Sequence, residues 1–200
     1  MTLQQITFLP NFATPLSDAE KLELSALGFL DEKGALLPAP VPWAPGRGAR
    51  SVERRAISNP NVLNEAHAYH PTPASFSRGL RVDLEADTSV LYISGTSAVD
   101  EKGKSIHVGD FRAQCWRTFR NITELLRAEG ATWQDVVRTS CYLRDIERDY
   151  EDFNQVRNYF LRAMDLDPLP ASTGIQARLC RSDLLIEIEA IAMLRREPGA

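Results

Sequence analysis

The stretch DLLIEIEAIAML (residues 183–194) alternates with a period of two, and no other feature limits the possible folds of this chain so strongly. In a strand, successive side chains point to opposite faces, so Leu184, Ile186, Ile188, Ala190 and Ala192 share one face. Glu187 and Glu189 fall on the other, beside Leu185, Ile191 and Met193. The wholly apolar face needs a layer of structure packed on it. The second face mixes carboxylates with apolar residues, whereas a face meant only for water would be polar throughout. Partial burial against another subunit is expected, with the polar groups gathered at a site. The plainer alternative is an exposed strand face with two solvated glutamates.

Regular patterning begins near residue 74. SFSRGLRVDL and TSVLYISGTSAV read as two strands, followed by a turn at DEKG. Asp110 caps a helix through Phe111, Cys115, Phe119, Ile122, Leu125 and Leu126, and Gly130 ends it. DVVRTSCYL is β-branched and strand-like, and DYEDFNQVRNYFLRAM gives a second amphipathic helix. STGIQARL and the opening stretch complete the order β-β-α-β-α-β-β. This order predicts an α+β fold, a sheet with both helices on one face. Ile186 and Ile188 would face the helices.

Residues 1–73 differ in character and are expected to form a proline-rich extension ahead of a domain spanning 74–196. Prolines at 38, 40, 42 and 45 exclude regular helix and disfavour a central strand. Only residues 17–30 read as a helix, with Ser17 as N-cap and Glu20 closing a capping box. Such an extension cannot build a core alone, so it wraps the main domain or packs on a neighbouring subunit.

The net charge of −4 and pI near 5.5 argue against a nucleic-acid partner, which usually meets a basic patch. The three cysteines show no CxxC spacing, which favours a reducing compartment and excludes a zinc ribbon. Neither a signal peptide nor a membrane span is evident, so a cytoplasmic chain without a membrane partner is expected. In HAYH (67–70) two histidines lie three apart, but Pro71 and Pro73 oppose a helix and no further ligand has matching spacing. A loop without metal is expected there. Cys141, mid-strand, and Cys115, on the apolar stripe of the first helix, read as buried structural thiols. His107, just before that helix, reads first as a surface residue.

LYISGTSAVDEKGK, then AQCWRTFRNITELLRAEGATWQDVVRTSCYLRDIERDYEDFNQVRNYF, then ARL and LLIEIEAIAML resemble the RidA/YjgF family, in order and at family-like spacing from about Phe76 to Met193. The resemblance implies a chorismate-mutase-like α+β subunit and a homotrimer with a central barrel and clefts between subunits. It further implies hydrolysis of reactive enamines and imines with release of ammonia, without metal or organic cofactor. Carried over residue by residue, the water-positioning glutamate falls on Glu187 and the small cleft residues on Ser94 and Gly95. The cleft asparagine falls on Asn154, the first-strand tyrosine on Phe76, and a small or cysteine position on Thr173. The arginine that grips a substrate carboxylate falls on Ala171. Alanine cannot supply that bidentate contact, so Arg78, Arg144 and Arg178 are candidates to replace it.

SGT with PASTGI is also similar to the chorismatases, a diverged branch in which a last-strand glutamate donates a proton; those chains are much longer. The expected function is therefore a RidA-like hydrolase or deaminase acting on a small anionic metabolite. The alternatives are a chorismatase-like enzyme on a cyclic enol-ether acid and a trimeric binding protein without turnover. A ribonuclease role has the least support in so acidic a chain. Pattern and resemblance agree on Glu187, whose pKa would rise if partly desolvated. Glu189 is expected to pair with a basic residue across the barrel, and Phe76 to give an apolar wall that suits a bulkier or more aromatic ligand.

Overall fold

The computed structural model describes residues 15–37, 52–69, 74–84 and 87–195. The chain divides into two compact units, Met1–Arg50 and Ser51–Ala200. In the first, helix α1 (Asp18–Ala26) starts as the sequence predicts. The Ser17 side chain accepts from the Glu20 amide, and Glu20 accepts from the Ser17 amide at 2.6 Å. None of its residues is buried. The proline run from residue 38 lies outside the described residues.

The second unit contains β1 (Glu53–Ile57), β2 (Gly79–Asp83), β3 (Thr88–Ser97), α2 (Phe111–Ala128), β4 (Val136–Leu143), α3 (Ile146–Ala163), β5 (Ala171–Gln176) and β6 (Ile186–Arg195). After β1 the order matches expectation. β1 itself was not expected, because only Ile57 of its five residues is buried and no alternation shows. It pairs antiparallel with β2, and Arg55 donates two hydrogen bonds to the Glu129 carboxylate just beyond α2. The unit that holds the sheet thus begins at Ser51, and Glu53–Ile57, within the region read from the sequence as extension, supply an edge strand.

The sheet runs β1-β2-β3-β6-β4-β5. All neighbours are antiparallel except β4 and β5, which are parallel and joined through α3, as a parallel pair requires. Asp110 caps α2 by accepting from the Ala113 amide, and Asp145 caps α3 by accepting from the Arg148 amide. α2 buries Cys115, Phe119, Ile122 and Leu126, and α3 buries Phe153 and Val156. These helices cover one face of the sheet, where Ile186, Ile188, Ala190 and Ala192 are all buried. The rings of Phe119 and Phe160 stack at 4.5 Å, with Trp133 edge-on to both.

The other face stays open within one chain: Tyr92 is 48%, Ile175 46% and Met193 55% exposed. Two buried amides of α2 hold the strand ends that border the site. Asn121 Nδ2 donates to the carbonyls of Ser97 (2.9 Å) and Val99 (3.0 Å). Gln114 donates to the Asp183 carbonyl and accepts from the Leu185 amide, each at 2.8 Å.

Candidate active site

The register of β3 against β6 shifts by one residue between Ile93 and Thr96, so Ser94-Gly95 forms a bulge beside Glu187. Beyond the bulge Ser97 stands opposite Glu187 and its hydroxyl donates to Glu187 Oε2 at 3.3 Å. A Cβ on Gly95 would lie 2.3 Å from Glu187 Oε1, so the carboxyl occupies space that only glycine leaves open. Ser94 is turned away, its hydroxyl donating to the Ser77 carbonyl at 2.7 Å. Burial holds the Glu187 pKa above the ordinary 4.5; the Ser97 hydrogen bond acts against this shift and the charge of Glu189 adds to it.

Glu187 opens into a cavity of about 520 Å³, whose lining includes Phe76, Arg78, Ser94, Gly95 and Arg181. Arg78 is only 3% exposed. Its Nε donates to the Asn64 carbonyl (2.7 Å) and one Nη to Asn64 Oδ1 (3.0 Å), while its guanidinium lies 5.1 Å from the Tyr69 ring and 5.7 Å from Phe76. Arg181 lies 5.2 Å from the same Tyr69 ring and donates to the Gly103 carbonyl at 2.6 Å. Gly103, at φ +75°, lies against the Asn64 side chain that orients Arg78. The cavity therefore combines a carboxyl inclined to hold a proton with two fixed cations and aromatic walls.

Of the residues picked from sequence, Glu187, Ser94, Gly95 and Phe76 meet here. Asn154 and Thr173 do not line this cavity within one chain. Asn154 Oδ1 accepts from Arg157 at 2.6 Å, and Thr173 on exposed β5 accepts from Arg138 at 3.3 Å. Ala171 lies exposed on the same strand. Arg78, one of the three proposed substitutes, does reach the cavity, whereas Arg144 is occupied by the carbonyls of Leu184, Leu179 and Arg181. Arg178 is exposed elsewhere. Sequence reasoning missed Ser97 and Arg181. Ser97 is brought opposite Glu187 by the bulge, and Arg181 sits in a loop without periodicity. Arg78 immediately precedes β2, in the stretch read from the sequence as a strand.

Among the described residues of one chain, Glu189 forms no ion pair. Tyr142 donates to its Oε2 at 3.0 Å, and this bond raises the Tyr142 pKa first, with burial second. Cys115 and Cys141 are buried, and burial raises both thiol pKa values, as suits structural residues. His107 is exposed in a turn at φ 55°. His70 and the His67 side chain lie outside the described residues, among which no cluster of three or more His, Cys, Asp or Glu could hold a metal ion. No helix among them is long and apolar enough to cross a membrane.

An α+β subunit with helices on one face of a mixed sheet and a carboxyl at a strand bulge beside Ser-Gly sets the class of fold, and comparison with known proteins narrows it. The family described as endoribonuclease L-PSP matches residues 70–194. The chain belongs to this family, the RidA/YjgF family whose motifs it carries. It is 34% identical over 105 residues to the 3-aminoacrylate deaminase RutC of Acinetobacter baylyi, covering 52% of this chain and 79% of that one. It is 30% identical over 185 residues to a chorismatase of Streptomyces rapamycinicus, covering 81% of this chain but only 54% of that one. The crystal structure of the E. coli YjgF gene product covers 71% of this chain and 99% of its own, with a TM-score of 0.56 and 26% identity.

Linkage gives a test of Glu187's environment. Its folded pKa lies above the unfolded value, so the folded state holds this proton more tightly. As pH rises above about 4.5, the unfolded chain gains by ionising Glu187 first, and wild-type stability falls relative to a chain lacking the group. Thermal melts should show Glu187→Gln gaining on wild type between pH 4 and pH 8, on the order of a few degrees at the upper end. A pH-independent difference would contradict the desolvated environment.

Proposed function

We propose that this chain is a cofactor-independent hydrolytic enzyme in which Glu187 transfers a proton to a small anionic enamine or imine, with release of ammonia. One observation carries this reading: a proton-retaining carboxyl and a buried guanidinium without an ion-pair partner among the described residues share one cavity. In an enamine, the β carbon is electron-rich. Glu187 gives it a proton, and the C=C–N unit becomes an iminium. Water adds to the iminium carbon, forming a C–O bond as Glu187 takes back a proton. The hydroxyl proton of this adduct then passes to the nitrogen as the C–N bond breaks, leaving a carbonyl and ammonia. Both transfers need a carboxyl whose pKa is closer to neutrality than usual. Arg78 replaces the anchor absent at Ala171, gripping the substrate carboxylate with a fork already oriented by Asn64.

The name of the RutC relative, 3-aminoacrylate deaminase, describes an amino group on a double bond beside a carboxylate, which supports this chemistry. A second reading has its own support, because the chorismatase match reaches 81% of the chain against 52% for RutC and so includes residues before the family-matched region. Protonation of an enol ether by Glu187 is the same first step, with an alcohol rather than ammonia leaving. In either case the working form would be a homotrimer. Its sheets would close their open faces into a central barrel, and Asn154 and Thr173 would complete the cleft of a neighbouring subunit.

The reaction is tested with freshly generated 2-aminoacrylate, 3-aminoacrylate and larger imino acids, measuring ammonia and carbonyl product. Wild type should release both above the uncatalysed rate, and Glu187→Gln should lose about 10²-fold or more. Release of pyruvate from chorismate, without ammonia from any imine, would replace the first reading with the second. Turnover of neither leaves only a ligand-binding protein. For the assembly, light scattering should give three times the chain mass for wild type and a monomer for Met193→Asp, which puts a charge on the open face. A monomeric wild type would contradict the trimer.

A further inference from the structure

We infer that Ser97 is a positioning residue for Glu187: its hydroxyl holds Oε2, which leaves Oε1 as the oxygen that carries the proton and exchanges it with a ligand. The inference rests on reading Glu187 as the proton-transfer group, and it gives the two carboxyl oxygens different tasks. Ser97 donates to Oε2 at 3.3 Å, and among the described residues the Glu187 side chain accepts no other hydrogen bond. Oε1 lies instead over Gly95, 2.3 Å from where a Cβ would stand, and Gly95 lines the cavity. Among the described residues the buried side-chain oxygens left without a partner are Thr118 Oγ1 and Asn121 Oδ1. Oε1, which also lacks one, is therefore not sealed off. It is the carboxyl oxygen open to the cavity.

Ser97 is itself fixed. It is buried, stands opposite Glu187 in the register of β3 with β6, and its carbonyl accepts from Asn121 Nδ2 and from the Val99 amide, each at 2.9 Å. Asn121 is fully buried on α2, so the helix layer sets where the hydroxyl can reach. A hydroxyl that donates to Oε2 occupies a lone pair of that oxygen, and a proton added to the group goes to Oε1. Tethered by one oxygen, the carboxyl loses the rotation that would turn its proton away from a ligand. At 3.3 Å the bond is longer than the usual O–H···O separation of about 2.7–2.8 Å, so a modest effect on acid strength is expected. Glu189 on the same strand, Tyr142 opposite Glu187 on β4, and Arg78, Cys180 and Arg181 around the cavity also face the carboxyl. Among the described residues none of them hydrogen-bonds to it, and all are unchanged by a substitution at Ser97, so a difference between variants reports the hydroxyl.

The test titrates the Glu187 carboxyl by carbon-13 NMR in the full chain, for wild type, Ser97→Ala and Ser97→Thr, with melts to show that each variant folds. A hydroxyl that donates favours the ionised carboxylate, so Ser97→Ala should raise the midpoint by about half a pH unit. Ser97→Thr, which keeps a hydroxyl, should bring it back towards wild type. A midpoint that falls in Ser97→Ala means that the proton sits on Oε2 and is donated to Ser97, which overturns the inference. An unchanged midpoint overturns it too. On 2- or 3-aminoacrylate, Ser97→Ala should lower kcat about tenfold with KM within about twofold, and the alkaline limb of its pH–rate profile should move up with the midpoint. A raised KM at wild-type kcat would make Ser97 a binding residue and overturn its positioning role. A raised midpoint in a chain that releases no ammonia retires the deaminase reading and keeps the division between the two oxygens. Ammonia release that depends on Glu187, with a midpoint unmoved in Ser97→Ala, does the reverse.

Discussion

The site depends on how one strand spends its two faces. β6 commits Ile186, Ile188, Ala190 and Ala192 to the core beneath α2, and this burial sets its register so firmly that Glu187 must point the other way. A one-residue slip would put both glutamates into the core and the isoleucines into water. The carboxyl then needs room, and the bulge at Ser94-Gly95 supplies it, since a Cβ at Gly95 would collide with Glu187 Oε1. Asn121 and Gln114 reach from α2 to the strand ends on either side, so the helix layer that buries one face of the sheet also helps position the Glu187 carboxyl on the other.

Most of the sheet unit was legible because its elements carry strong periods. The alternation in β6, the helical stripe through Cys115, Phe119 and Ile122, and the cap at Asp110 are local signals, and local physics is enough to satisfy them. β1 was not legible. Its membership rests on pairing with β2 and on Arg55 meeting Glu129, 74 positions away, and neither contact leaves a mark on the hydrophobic pattern. Within one chain Glu189 accepts from the phenol of Tyr142 on the adjacent strand.

The cavity also divides into what periodicity can reach and what it cannot. Glu187, Gly95 and Phe76 lie on strands or at their approaches, whereas Arg181 comes from the turn before β6 and is fixed by Gly103 in another loop. Alanine stands at 171, where the family resemblance implies a carboxylate-gripping arginine, and the cavity instead holds Arg78 and Arg181 around Tyr69. Under the proposed function, this displacement of positive charge would alter what the site recognises while leaving the Glu187 carboxyl in place. Glu187 would serve both readings of the chemistry, because enamine and enol-ether cleavage begin with the same proton transfer.

The most direct measurement is the titration of the Glu187 carboxyl by carbon-13 NMR, with its signal assigned by its absence in Glu187→Gln. A midpoint clearly above 4.5, falling again if the cavity is opened to solvent, is the expected result for a desolvated proton-transfer group. Full ionisation of Glu187 by pH 5 would contradict its role as the proton donor and, with it, the proposed chemistry of the site.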